Sequence, residues 1–125
     1  GAGSGAMSIA ILERIGPTGS LTSYERRNEF AENARSNVSN YFGEFPQNWS
    51  LIEGNFPEVC DLNQKMDRIV LDMLAPWECV DGVGELLNPG GVLICYVATT
   101  TQLSQTVERI RDHTGFSEPT SFETM

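Results

Sequence analysis

Two short apolar runs bracket one helical segment in the second half of the chain, and that arrangement constrains the fold more than any other feature. Residues 68–74 (RIVLDML) are apolar apart from Arg68 and Asp72, the pattern of a strand buried on both faces. Residues 91–98 (GVLICYVA) predict a second buried strand. Between them Pro76 suits the first turn of a helix, and Val80, Val83 and Leu87 give that helix one apolar face. Asn88-Pro89-Gly90-Gly91 predicts a turn.

The remaining segments keep the alternation. Residues 7–15 read as a short helix stopped by Gly16-Pro17, and residues 20–24 as a strand. Residues 26–42 carry Phe30, Ala34, Val38 and Tyr41 at helical spacing, with Gly43 ending the helix. Residues 49–54 form a further strand candidate and residues 55–66 a loop. Residues 101–114 place Leu103, Val107 and Ile110 on one helical face, closed by Gly115. The order α-β-α-β-loop-β-α-β-α predicts an α/β fold, a mainly parallel sheet with helices on both faces. In such sheets ligands sit beyond the carboxyl ends of the strands.

Composition sets the outer bounds. The 125 residues, 40% hydrophobic and 20% charged, suit one domain of ordinary globular character. No stretch approaches the roughly 18 uninterrupted apolar residues of a membrane span. The first residues show neither a signal peptide nor an initiator Met, which predicts a processed chain or a fragment. Eight basic against 17 acidic residues leave a net charge of -9, spread evenly along the chain. That balance disfavours nucleic-acid binding by these residues alone and welcomes a cationic small ligand. Cys60, Cys79 and Cys95 are odd in number and make no CxxC pattern, so they read as reduced, buried thiols of a cytoplasmic protein. No metal site is expected.

The candidates for chemistry lie at strand ends. Gly1-Ala2-Gly3-Ser4-Gly5 runs directly into a helix at Ala6-Met7. Glycines let a backbone approach a ligand closely, and a helix N-terminus adds N–H groups without helical partners. The same letters resemble a linker; the helix start and the acid that follows weigh against that reading. Glu25 ends a strand 20 residues after Gly5. A carboxylate at the tip of the second strand of a nucleotide-binding unit accepts both ribose hydroxyls. An exposed helix-capping Glu is the plain alternative. The spacing is G-x-G-x-G, not G-x-G-x-x-G, which favours S-adenosylmethionine over NAD. Asn55 follows the next strand, where an amide could accept an adenine amino group, and a plain loop Asn reads equally well. Asp72 is an acid inside an apolar strand, costly unless paired or functional. It reads as a pocket carboxylate facing a substrate amine or as a cap for the next helix. Tyr96 lies near the carboxyl end of its strand, where a Tyr is ordinarily core with a satisfied hydroxyl. His113 stands alone at a helix end and reads as a surface residue.

Read in order, these residues resemble the tRNA (adenine-N1)-methyltransferase family of the bacterial and archaeal TrmI type, in an actinobacterial-like form. Gly1-Ala-Gly-Ser-Gly-Ala looks like the end of its cofactor motif. Ser23-Tyr-Glu-Arg-Arg, Phe30-Ala and Ala34-Arg-Ser-Asn-Val are similar to its second strand and following helix. Arg68-Ile-Val-Leu-Asp-Met-Leu-Ala-Pro-Trp is the most specific match, resembling the family's LD-x-x-x-PW signature. Pro89-Gly-Gly, Tyr96 and Gln102 continue the likeness, which covers essentially the whole chain.

The resemblance implies a Rossmann-like class I S-adenosylmethionine-dependent methyltransferase fold, present here in part. Residues 1–125 would be a partial catalytic domain, with a small β-domain and the first strand upstream and the last strands downstream. That first strand would lie centrally in the family's sheet, and the isolated segment is expected to be inactive. The implied cofactor residues are Gly1, Gly3, Ser4, Gly5, Ala6, Glu25, Asn55 and Asp72; Asn55 stands where the family commonly has Asp. Asp72 and Tyr96 are the implied catalytic residues. The implied reaction is methyl transfer to N1 of a T-loop adenine in tRNA by a cytoplasmic homotetramer. Two other readings stand beside it: a methyltransferase acting on a small molecule or protein, and a non-catalytic tRNA-binding partner subunit. A NAD-dependent oxidoreductase is the weakest.

Overall fold

A computed structural model describes residues 1–124. The chain divides into two compact units, the first Gly1–Val59 and the second from Cys60 onward. Among the described residues no helix is long and apolar enough to cross a membrane.

The first unit contains α1 (Ala6–Ile15), β1 (Leu21–Glu25), α2 (Asn28–Phe42) and β2 (Trp49–Glu53). The two strands pair in parallel, from Leu21 opposite Trp49 to Glu25 opposite Glu53. Leu12, Val38 and Trp49 form the buried centre, with Ile9, Ile15, Leu21, Phe42 and Leu51 packed against it. A buried polar chain crosses this core. The Trp49 indole Nε1 donates to Ser23 Oγ at 3.0 Å, and the Ser23 and Ser8 hydroxyls bond at 2.9 Å. Helix α1 and both strands are thereby joined through groups that would be costly to bury unpaired.

The inner face of α2 differs from the predicted one. Ala31, Ala34 and Val38 are buried, while Phe30 and Tyr41 remain exposed. Small side chains are needed here, because a Cβ on Gly5 would lie 3.3 Å from the Cα of Ala34. The displaced aromatics find amphipathic places at the edge. Phe30 lies under the Arg27 guanidinium at 5.2 Å, and the Tyr41 hydroxyl donates to Glu13 Oε1 at 2.5 Å.

The second unit contains β3 (Met66–Asp72), a 3₁₀ turn (Pro76–Cys79), α3 (Val80–Leu86), β4 (Leu87–Tyr96) and α4 (Thr100–Asp112). Strands β3 and β4 are parallel. The described strands therefore form two separate two-stranded parallel sheets, β1 with β2 and β3 with β4.

Several expectations are corrected in this unit. The predicted turn at residues 88–91 lies within β4, not before it. Met66 pairs with Leu87 and Arg68 with Val92, so the Asn88-Pro89-Gly90-Gly91 segment bulges out of the ladder. Gly90 supplies the left-handed φ of 82° this requires, and Asn88 Nδ2 ties the bulge to Asp67 Oδ1 at 3.0 Å. Leu86, not Leu87, therefore completes the buried face of α3 with Val80 and Val83.

Neither β3 nor β4 is buried on both faces. In β3, Ile69 and Leu71 are inside while Arg68 and Asp72 are exposed. In β4, Val92, Ile94 and Tyr96 form an exposed alternating row. Apolar content on both faces suggests burial on both faces, yet within this unit only one face is covered. Helix α4 likewise buries Thr106 on its inner side and exposes Leu103; the Thr106 hydroxyl donates to the Gln102 carbonyl at 2.7 Å, so its burial carries no polar penalty. The three cysteines are thiols rather than disulfide partners; Cys79 is buried, and Cys60 and Cys95 are half-buried rather than fully enclosed.

Candidate functional site

Each unit carries one cluster of chemistry-bearing residues at the carboxyl ends of its strands. In the first, the glycine turn and Glu25 come together. The Ala2 N–H donates to the Tyr24 carbonyl at 2.9 Å, laying the start of the chain beside the end of β1. A Cβ on Gly1 would lie 2.8 Å from Glu25 Oε1, so the start of the turn stands directly against that carboxylate. Gly3 has a φ of +53° with open space where a side chain would stand.

Gly5 is the N-cap of α1, with φ 90°, and a Cβ there would meet Val38 Cγ2 at 3.0 Å. Its glycine identity is thus fixed twice, by backbone conformation and by the close approach of α2. The Ser4 carbonyl accepts from Asn37 Nδ2 at 2.9 Å, which pins the turn to α2, and Ala6 begins the helix.

Glu25 is the last residue of β1 and only 7% exposed. It does not cap the next helix: the N-cap of α2 is Arg27, and no side chain caps it. A buried carboxylate at a strand end suits a ligand that brings hydroxyl donors of its own. The Glu25 carbonyl accepts from the Gly54 N–H at 3.0 Å, which holds the β2 exit loop against it. That loop carries Asn55, exposed, with Nδ2 donating to Glu58 Oε1 at 3.2 Å. The amide oxygen is the end left to meet a donor such as an adenine amino group. The chemistry of these residues, a buried carboxylate, a glycine turn and an amide oxygen at one end of the unit, fits what S-adenosylmethionine would need.

The sequence reading misses Glu53, which organises the same end of the unit. Its carboxylate accepts from Asn28 Nδ2 at 3.1 Å and pairs with Arg35 Nη1 at 3.1 Å. These bonds, first Asn28 and then Arg35, hold its pKa below the usual carboxylate value. They anchor the start of α2 to the end of β2.

In the second unit Asp72 and Tyr96 are register partners, each the last residue of its strand, β3 and β4. Adjacent residues in a parallel ladder project to the same face, so acid and phenol stand side by side. The expectation that Asp72 lies inside the strand, and that Tyr96 is core, is corrected: Asp72 is exposed and Tyr96 is 53% exposed. Nor does Asp72 cap a helix, since the following 3₁₀ turn and α3 have Ala75 and Cys79 at their N-caps with no side-chain cap. His113 is not a loose surface group; its Nδ1 accepts from the Gly115 N–H at 3.0 Å and its ring packs on Phe116.

The residue that gathers this end of the second unit is Gln102. Thr99 and Gln102 form a reciprocal capping box at the start of α4. The signal is legible as Thr99-x-x-Gln102, the S/T-x-x-E/Q pattern of a helix start.

Parallel strands, crossover helices and a glycine turn facing a strand-end acid define the class: the chain has the α/β Rossmann-like fold of class I S-adenosylmethionine-dependent methyltransferases. A crystal structure of an S-adenosylmethionine-dependent O-methyltransferase from Thermotoga maritima superposes with a TM-score of 0.80 at 32% identity, covering 90% of this chain and 41% of that one. The tRNA (m1A58) methyltransferase TrmI from Aquifex aeolicus gives 0.77 at 21% identity, over 90% of this chain and 43% of that one, and supports the fold alone.

The chain belongs to the family described as tRNA methyltransferase complex GCD14 subunit, which matches residues 1–125. Among curated relatives, the tRNA (adenine(57)-N(1)/adenine(58)-N(1))-methyltransferase TrmI of Methanocaldococcus jannaschii is 28% identical over 147 residues, 98% of this chain and 51% of that protein. The tRNA (adenine(58)-N(1))-methyltransferase TrmI of Thermus thermophilus is 26% identical over 113 residues, 90% of this chain and 44% of the relative. The chain thus spans about half the length of the curated relatives it matches.

Proposed function

We propose that the protein to which these residues belong is a tRNA (adenine-N1)-methyltransferase that methylates a T-loop adenine. The observation that carries this reading is the pairing of Asp72 with Tyr96 at the ends of β3 and β4, with Asp72 inside the segment, residues 68–77, that resembles the LD-x-x-x-PW signature. Membership of the tRNA methyltransferase complex family supports it.

S-adenosylmethionine, when bound, supplies a methyl group on a sulfonium for in-line transfer. Adenine N1 has a lone pair at neutral pH, so no residue need act as a strong base. What this chain must do is position the base and tolerate the positive charge that develops on its ring. Asp72 accepts a hydrogen bond from the exocyclic N6 amine, which orients the base and stabilises the cationic product. Tyr96 packs on or hydrogen-bonds the base, which leaves the folded T-loop to reach the site. Gly1, Gly3, Ser4, Gly5 and Ala6 give close approach to the cofactor, Glu25 takes its ribose hydroxyls, and Asn55 takes its adenine amine. Residues 1–125 act as one part of a cofactor-binding catalytic domain. A net charge of -9 is unsuited to holding tRNA phosphates. Other parts of the protein and other copies in a cytoplasmic homotetramer supply the basic surface.

The test is methyl transfer from labelled S-adenosylmethionine by the natural full-length protein to unmodified tRNA, with the labelled base identified after digestion. N1-methyladenosine is the expected product. Transfer only to small or protein acceptors would place the chain with enzymes such as the Thermotoga maritima O-methyltransferase. Binding of tRNA with neither cofactor binding nor transfer would mark it as a partner subunit.

A further inference from the structure

One side chain joins the exit loops of β3 and β4. Gln102 Oε1 accepts from the Ala98 N–H at 3.1 Å, the Thr99 N–H at 3.0 Å and the Thr99 hydroxyl at 3.0 Å. Its Nε2 donates in the other direction, to the Leu74 carbonyl at 3.0 Å. The capping of α4 needs only the oxygen end. The nitrogen end does something else: it holds the segment immediately after Asp72 to the segment immediately after Tyr96.

Leu74, the residue held, is 80% exposed. A leucine so open gains nothing for the core, and a lone exposed apolar side chain would need no explanation. This one differs because its main chain is fixed two residues beyond Asp72. Its main chain is thereby tied to the loop that follows Tyr96, while its side chain stays exposed.

We propose that Gln102 is a positioning residue for the substrate nucleobase: its amide holds the β3 exit loop so that Leu74 is presented, beside Asp72 and Tyr96, as an apolar contact for the base. The inference rests on the nucleobase reading of the Asp72–Tyr96 pair. A planar base has an apolar face and a polar edge. Leu74 and the Tyr96 ring serve the face, and the Asp72 carboxylate serves the edge. If the loop drifts, the edge contact at Asp72 is misaligned even though Asp72 itself is intact.

Gln102→Glu separates the two ends of the side chain. It retains an oxygen to accept from Ala98 and Thr99, so the helix cap persists. It loses the donor to Leu74 and sets a carboxylate against that carbonyl. In the natural full-length protein the expected result is a fall in kcat/KM for tRNA of about three- to tenfold, the scale of one hydrogen bond. Cofactor affinity by calorimetry and the melting temperature should stay close to those of the wild type. Leu74→Ser, which leaves the tether intact, should lower kcat/KM in the same direction. An active wild type with unaltered transfer by either variant would overturn the positioning role, as would an equal loss of cofactor affinity. No transfer to tRNA by the wild type would overturn the nucleobase reading itself, and this inference with it.

Discussion

The two units present their key acids in opposite ways. Glu25 is buried, and the start of the glycine turn lies directly against its carboxylate. Asp72 is exposed, beside a half-open tyrosine and at the edge of an apolar row formed by Val92 and Ile94. On the proposed function, the first arrangement would be preorganised for a small ligand of fixed shape. The second is open, as suits a large substrate that brings its own surface to complete the contacts. Preorganisation lowers the ordering cost of binding where the ligand is small.

The largest test of that contrast is Asp72→Ala. Methyl transfer should fall by about a hundredfold or more, the scale of losing one group that stabilises developing charge. Cofactor affinity by calorimetry should be much less affected, and equal loss of both would assign Asp72 to the cofactor instead. Glu25→Ala should do the reverse. Loss of charge-assisted hydrogen bonds there should weaken cofactor binding by about ten- to a hundredfold; an unchanged dissociation constant would reject the ribose assignment.

A third substitution probes the shaping of the glycine turn. Gly5→Ala must adopt a φ of 90° and push a methyl into Val38. It should destabilise the fold by about 1–3 kcal/mol, read from denaturant unfolding. Gly3→Ala, with open space beside it, should cost less, and equal costs would mean that packing against α2 is not what fixes Gly5.

The smallest expected effect lies in the second unit. Burial, with Cys79 adding to it, pushes the Cys95 thiol from its ordinary 9.0 up to about 11. Its neutral form therefore contributes stability that is whole below the unfolded thiol's pKa, and that contribution is lost as pH rises toward the folded value. Unfolding curves of wild type and Cys95→Ala should accordingly converge or cross between about pH 9 and pH 11. A constant gap across that range would show Cys95 to be more accessible to water than its burial implies.

Much of the architecture is legible because its signals are local. Gly16-Pro17 and Gly43 end their helices, and alternating apolar segments mark parallel strands. The strand-end place of Glu25 follows from that alternation, whereas the apolar run 68–74 hides that β3 ends at Asp72. Local chemistry also misleads where it has two outcomes. Asn88-Pro89-Gly90-Gly91 has the composition of a turn, and it does make a sharp local excursion, but inside a strand.

What this sequence determined by itself is the order of elements, their parallel sense and the end of the strands where chemistry gathers. Those properties depend on side-chain period and on φ preferences, which neighbouring residues impose on one another. The tertiary structure alone decided that α2 turns Ala31 inward and Phe30 outward, that Glu25 is buried while Asp72 is open, and that Gln102 reaches Leu74. Each depends on what packs opposite from elsewhere in the chain. A helix with apolar residues on more than one side, or an amide with a donor and an acceptor to place, has no local reason to choose.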